Sequence, residues 1–161
     1  MLEETMFLAD ETATLALGAM LAPALGKGDV LCLSGPLGAG KTTLARGVIA
    51  ALTVGEEAPS PTFALVETYE AKELSLWHFD LYRLQKPEDV WELGLEEALA
   101  VGASLIEWPE RIAKHIPSTA LLIRLALDGE GRRALFRGEG SWAGRLRKAG
   151  LFSGRESTDK D

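Results

Sequence analysis

Residues 35–43 read GPLGAGKTT. Gly35, Gly38 and Gly40 strip side chains from the backbone where something must come close. Lys41 adds an ammonium group, and Thr42 and Thr43 add hydroxyls. The spacing Gly35-x4-Gly40-Lys41-Thr42 is the Walker A pattern. In such a loop, spanning Gly35, Pro36, Leu37, Gly38, Ala39 and Gly40, backbone N–H groups turn inward and form an anion-binding nest. The positive end of a following helix points at the same place. Lys41 can then reach β- and γ-phosphates, and the Thr42 hydroxyl can ligate Mg²⁺, a hard cation that prefers oxygen. Thr43 either touches phosphate or caps the turn. The competing reading is a glycine-rich turn that merely joins strand to helix.

Such a loop needs a carboxylate at the end of a neighbouring strand to hold Mg²⁺ through its water shell. Asp80, ending LSLWHFD, and Glu107, ending ASLIE, both qualify. Alternation along a strand puts His78, Asp80 and Tyr82 on one side and Trp77, Phe79 and Leu81 on the other. The first side reads as polar, the second as core. Glu107 follows a buried run, and burying an unpaired carboxylate is costly unless a cation is near. The alternatives are a salt bridge from Asp80 to Arg83 or another surface base, and a helix-cap role for Glu107. His78 reads as a hydrogen-bonded strand residue rather than a ligand.

Ser60 and Thr62 in SPTF offer hydroxyls that could sense a γ-phosphate or Mg²⁺ as a switch; a proline turn explains the segment equally well. Trp108 is core packing or a cover over a nucleotide or a partner. Cys32 reads as a small hydrophobe without an activating base. No cysteine–histidine spacing for zinc is present.

These residues need a scaffold. VLCLS (30–34) is an apolar run expected of a strand buried on both faces. KTTLARGVIAAL (41–52) reads as a helix with Leu44, Val48 and Leu52 inward. Strand, glycine turn and helix is the context a phosphate loop requires. Upstream, Thr5 to Leu8 suggests an edge strand. Asp10 or Thr12 could cap a helix reaching about Leu25, with Leu15, Met20, Leu21 and Leu25 on its buried stripe. Residues 55–62 read as a loop. Residues 63–71 and 74–83 form a hairpin around Lys72 and Glu73. Residues 87–100 are helical in two pieces broken near Gly94. ASLIEWP (103–109) is a buried strand stopped by Pro109, and PERIAKHI adds one or two helical turns. Residues 119–128 and 132–138 form a second hairpin. We expect one domain over 1–139 and a tail over 140–161, with a short helix at Trp142 to Leu151 and disorder over 153–161.

The chain has 161 residues, the size of one domain. Its formal net charge of −7 argues against holding nucleic acid unaided. One cysteine excludes an intrachain disulfide and fits a reduced compartment. The acidic start is no secretory signal, and no apolar run is long enough to span a bilayer. We expect a cytoplasmic, soluble protein with no membrane partner. The chain has no Asn and a single Gln, Gln85, which hints at a thermophile.

GPLGAGKTTLARG, SPTFALVETY, WHFDLYRL and LIEWPERI, in that order and across roughly residues 10 to 137, resemble the TsaE (YjeE) ATPases of bacterial tRNA modification. HFDLYR and EWPE are much more specific than the Walker pattern. The resemblance implies an α/β, P-loop NTPase-like three-layer sandwich, its mainly parallel central sheet extended by antiparallel hairpins. It implies a part in making threonylcarbamoyladenosine on the tRNA adenosine next to the anticodon, after TsaC has made threonylcarbamoyl-adenylate. TsaB and TsaD are the implied partners, and tRNA is met through their complex. ATP and Mg²⁺ are the implied cofactors. Hydrolysis, slow alone and faster with the partners, resets the complex rather than transferring the threonylcarbamoyl group. By motif, Lys41 and Thr42 match the phosphate and Mg²⁺ residues, and Ser60 to Thr62 the switch. Asp80 matches an acidic residue needed for activity, Glu107 the metal-side carboxylate and Trp108 the EWP tryptophan. Asp80 is left between metal and water roles. The rivals are a small-molecule kinase and a non-catalytic ATP-binding subunit. A GTPase with an Asn-Lys-x-Asp guanine reader is excluded by the lack of Asn, and no LSGGQ-like stretch points to a transporter ATPase.

Overall fold

The structure is a computed structural model, and it describes residues 1–53 and 65–152. Ser60, Thr62 and the 55–62 loop therefore lie outside the described residues, as does the 153–161 segment. Seven strands form one sheet: β1 (Leu2–Leu8), β2 (Val30–Ser34), β3 (Val66–Glu70), β4 (Ser75–Asp80), β5 (Gly102–Glu107), β6 (Leu121–Asp128) and β7 (Gly131–Gly138). Their order is β1-β7-β6-β2-β5-β4-β3. The four central strands, β6, β2, β5 and β4, run parallel. The hairpins β3–β4 and β6–β7 are antiparallel, and β1 adds antiparallel to β7 at one edge. The parallel centre with antiparallel extensions matches the expected fold class.

β2 sits at the middle, and its register explains its composition. Alternate side chains leave opposite faces. Leu31 and Leu33 enter one apolar core, with Leu105 of β5 and Ile123 of β6. Val30 and Cys32 enter the other, with Ile106 of β5 and Phe79 of β4. The first core is covered by α1 (Glu11–Leu21), α2 (Lys41–Thr53) and α4 (Trp142–Lys148). The second is covered by the 3-10 segment Pro87–Trp91, α3 (Leu95–Val101) and the 3-10 segment Pro109–His115. This is the three-layer arrangement. Gly94, with φ 99°, separates the two helical pieces as expected.

Two expectations are corrected. Asp10 does cap α1, its Oδ1 accepting from Ala13 N at 2.8 Å, but the helix ends at Leu21. Pro23 follows inside a short 3-10 turn, Ala22–Ala24, and cannot continue an α-helix. The buried stripe also differs: Leu17 and Leu21 are buried with Thr14 and Gly18, whereas Leu15 and Met20 are each 38% exposed. The cause is a close crossing. A Cβ on Gly18 would lie 2.5 Å from Leu44 O, and one on Gly47 would collide with Leu15 O. α1 thus buries its small residues against α2. α4 joins the main core through Trp142 and Leu146, and Leu151 packs beside them. The Trp142 indole donates to Thr119 O at 2.7 Å.

Candidate phosphate-binding site

The glycine loop leaves the end of β2 and enters α2 at Lys41. β4 and β5 end beside it, so Ser34, Asp80 and Glu107 stand at the carboxyl ends of three parallel strands. That end of an open α/β sheet is where ligands bind. Gly35 has φ 136°, and a Cβ there would strike Leu125 O of β6. Glycine is required at this position by backbone conformation and by space. Leu44 N donates to Gly40 O at 2.9 Å, which closes the first turn of α2.

Lys41 is 5% exposed. Its ammonium donates to Gly35 O and, at 2.9 Å, to Pro36 O, and lies 4.0 Å from the centre of the Trp108 ring. Burial pulls its pKa below 10.5, while Glu107, Glu110 and Asp80 oppose that shift without overcoming it. Trp108 has φ 61° and ψ 51°, a left-handed conformation that a bulky residue rarely adopts. The following Pro109 disfavours the right-handed helical region for the residue before it. Tyr82 packs on Trp108, ring centres 4.9 Å apart.

Glu107 is 2% exposed. Thr42 Oγ1 donates to it, with distances of 2.9 and 3.1 Å to its two oxygens. His78 Nε2 donates to Oε2 at 2.7 Å. The cost of burying this carboxylate is thus offset by Thr42 and His78, not by a helix cap. Asp80 pairs in register with Glu107, and its Oδ1 accepts from Tyr82 N at 3.2 Å. It makes no ion pair with Arg83 among the described residues. Asp80 and Glu107 line one cavity of about 270 Å³ with Lys41, Thr42 and Trp108. The loop, the lysine, the hydroxyl and both carboxylates therefore converge.

Thr43 lines a second, smaller recess with Thr14 and Arg132. Arg132, from β7, donates to Gly38 O at 3.0 Å and pins the loop from 94 residues away. No local signal in the sequence marks it. The role of His78 was half legible: its place two residues before Asp80 puts it on the same strand face, but its partner Glu107 is set by the neighbouring strand. A larger cavity, about 700 Å³, is bordered by Gly35 and Pro36 of the loop and by Trp108. Its walls are mainly apolar, including Ile116 and Leu122, which suits a polyphosphate poorly. Cys32 borders it, and burial pushes its thiol pKa up to about 12, the state of an inert core residue.

Thr42 and Glu107 offer hard oxygens suited to a small divalent cation. Among the described residues no group of three or more His, Cys, Asp or Glu could hold a metal.

Comparison with known proteins agrees with this geometry. Residues 8–135 match the family model described as threonylcarbamoyl adenosine biosynthesis protein TsaE. A tRNA threonylcarbamoyladenosine biosynthesis protein TsaE from Nostoc sp. is 43% identical over 133 residues, 80% of this chain and 81% of its own length. The protein of the same name from Treponema pallidum is 37% identical, over 73% of this chain and 87% of its own. The crystal structure of Bacillus subtilis YdiB superposes with a TM-score of 0.72 at 28% identity, covering 91% of this chain and 93% of that one. With the phosphate loop, the HFDLYR strand and the EWPE turn gathered at one sheet end, the chain belongs to the TsaE family.

Proposed function

We propose that this protein is an ATP hydrolase that serves threonylcarbamoyladenosine modification of tRNA, with ATP and Mg²⁺ as its cofactors and TsaB and TsaD as its partners. The observation that carries the reading is the Thr42–Glu107 contact at the start of α2, beside the Lys41 ammonium. The loop, Lys41, Thr42 and Thr43 would hold the ATP phosphates, beside Asp80, Glu107 and Trp108, which line the same cavity.

Lys41 would leave the Gly35 and Pro36 carbonyls and turn to the phosphates, offsetting the charge that grows on the γ-phosphoryl oxygens. Mg²⁺, when bound, would supply further charge neutralisation at the phosphates. Thr42 and Glu107 would hold it, with Asp80 at its water shell or on the attacking water. The Trp108 ring shields Lys41 on one side. A net charge of −7 suits a subunit that leaves tRNA to its partners.

The test is ATP turnover with Mg²⁺, with and without TsaB–TsaD, with tRNA modification scored in parallel. Slow phosphate release alone and faster release with the partners is expected. No phosphate release without an acceptor, with ATP consumed only when a small molecule takes up the γ-phosphoryl group, would favour a kinase, with the apolar cavity beside Trp108 as its acceptor pocket. Modification supported equally by a folded Lys41→Ala chain that binds but cannot hydrolyse ATP would favour a non-catalytic subunit.

A further inference from the structure

We propose that His78 is a positioning residue that fixes the Glu107 carboxylate for metal capture; this rests on the nucleotide reading above. Glu107 is approached from two other elements. α2 sends the Thr42 hydroxyl, and β4 sends His78 Nε2, at 2.7 Å from Oε2. The side chains of His78 and Glu107 are 1% and 3% exposed, so little solvent competes for this contact. A glutamate side chain has three rotatable bonds, and one bifurcated hydroxyl does not fix them. The imidazole supplies the second anchor and leaves the remaining lone pairs facing Thr42.

The other imidazole nitrogen supports the assignment. Nδ1 of His78 is buried and meets no hydrogen-bond partner among the described residues. A buried polar atom without a partner is costly and calls for a reason. An apolar residue of similar size would fill the space at lower cost. What such a residue could not supply is the N–H that reaches Glu107. His78 stands opposite Leu105 in the register, one side-chain step before Asp80, which stands opposite Glu107. The imidazole therefore ties the strand bearing Asp80 to the strand bearing Glu107, in addition to the backbone ladder. Partners in the shell behind a metal ligand typically affect metal affinity by about 10–100-fold.

The experiment is calorimetric titration of the full chain with ADP, once in EDTA and once in excess Mg²⁺. The quantity read is the Mg²⁺ enhancement, the ratio of the two affinities. His78→Leu removes the donor. His78→Asn places an amide near the Nδ1 position, too short for Glu107. His78→Gln places its amide nitrogen near Nε2. ADP affinity in EDTA should change little in all three. The Mg²⁺ enhancement should fall about 10–100-fold in His78→Leu and His78→Asn, and His78→Gln should recover most of it. A merely structural histidine would not separate the metal-free from the metal-bound measurement. If His78→Leu fails to fold, the Asn and Gln variants decide the matter between them. Undiminished enhancement in folded His78→Leu or His78→Asn overturns the assignment, and so does equal loss in His78→Gln and His78→Asn. A parent chain that binds no ADP sinks the nucleotide reading and this inference with it. A parent that responds to Mg²⁺, with variants that match it, sinks this inference alone.

Discussion

Lys41 carries the sharpest expectations at the scale of single residues. Its ammonium is satisfied by the loop's own carbonyls and by the Trp108 face, so the loop is held in shape before any phosphate arrives. Lys41→Ala should leave the fold intact and lower ATP turnover by about 10²–10³, the usual cost of a lost charge-stabilising donor. Circular dichroism and phosphate release check the two halves. The titration of Lys41 gives a second expectation. Burial lowers its pKa beneath 10.5, and a bound polyphosphate would raise it again. As pH climbs through the lowered value, the free protein loses a proton that the bound form keeps. ADP affinity should therefore decline toward alkaline pH, with proton uptake on binding in that window. Calorimetry in buffers of different ionisation enthalpy measures this uptake, and Lys41→Ala should abolish it.

At the scale of elements, the α1–α2 crossing positions the loop. α2 begins at Lys41, so any displacement of that helix moves Thr42 away from Glu107. Gly47→Ala sets two effects against each other. Alanine favours a helix interior over glycine by about 1 kcal/mol. The new Cβ, however, meets the Leu15 carbonyl, a backbone atom that cannot rotate aside. Overpacking of this kind costs about 1–3 kcal/mol, so net destabilisation is expected. A lower urea midpoint with an unchanged slope would show it. This crossing also explains the misplaced stripe on α1. Apolar periodicity favours Leu15 and Met20, but two backbones in contact need Gly18 and Thr14 inward. The strands were easier to read. VLCL and GASLI are buried on both faces, and a largely apolar run needs no partner to be recognised.

For the whole molecule, α4 shows how a segment far from the motifs belongs to the fold. Trp142, Leu146 and Leu151 are each at most 2% exposed and lie in the same core as β2 and α2. Arg145 pairs with Asp29 just before β2 and lies 4.0 Å from the Trp142 ring centre. Each large apolar side chain fully buried contributes about 1.5–3 kcal/mol. Total stability of a domain is about 5–15 kcal/mol. A chain ended at Gly140 should thus lose a large fraction of its stability, read as a lower melting temperature in calorimetry. Among the described residues no helix is long and apolar enough to cross a membrane.

The sequence by itself determined the phosphate loop, its strand–turn–helix setting, both carboxylates and the breaks at Gly94 and Pro109. These are local: they depend on spacing, on backbone freedom and on runs of apolar side chains. Only the tertiary structure decided that Glu107 is the carboxylate touching Thr42, that His78 anchors it, and that Arg132 pins the loop. Those pairings join residues that are 65, 29 and 94 positions apart. They exist because strands, a helix start and a loop from distant segments meet in the folded sheet, and an element's own sequence does not encode which neighbour it will have.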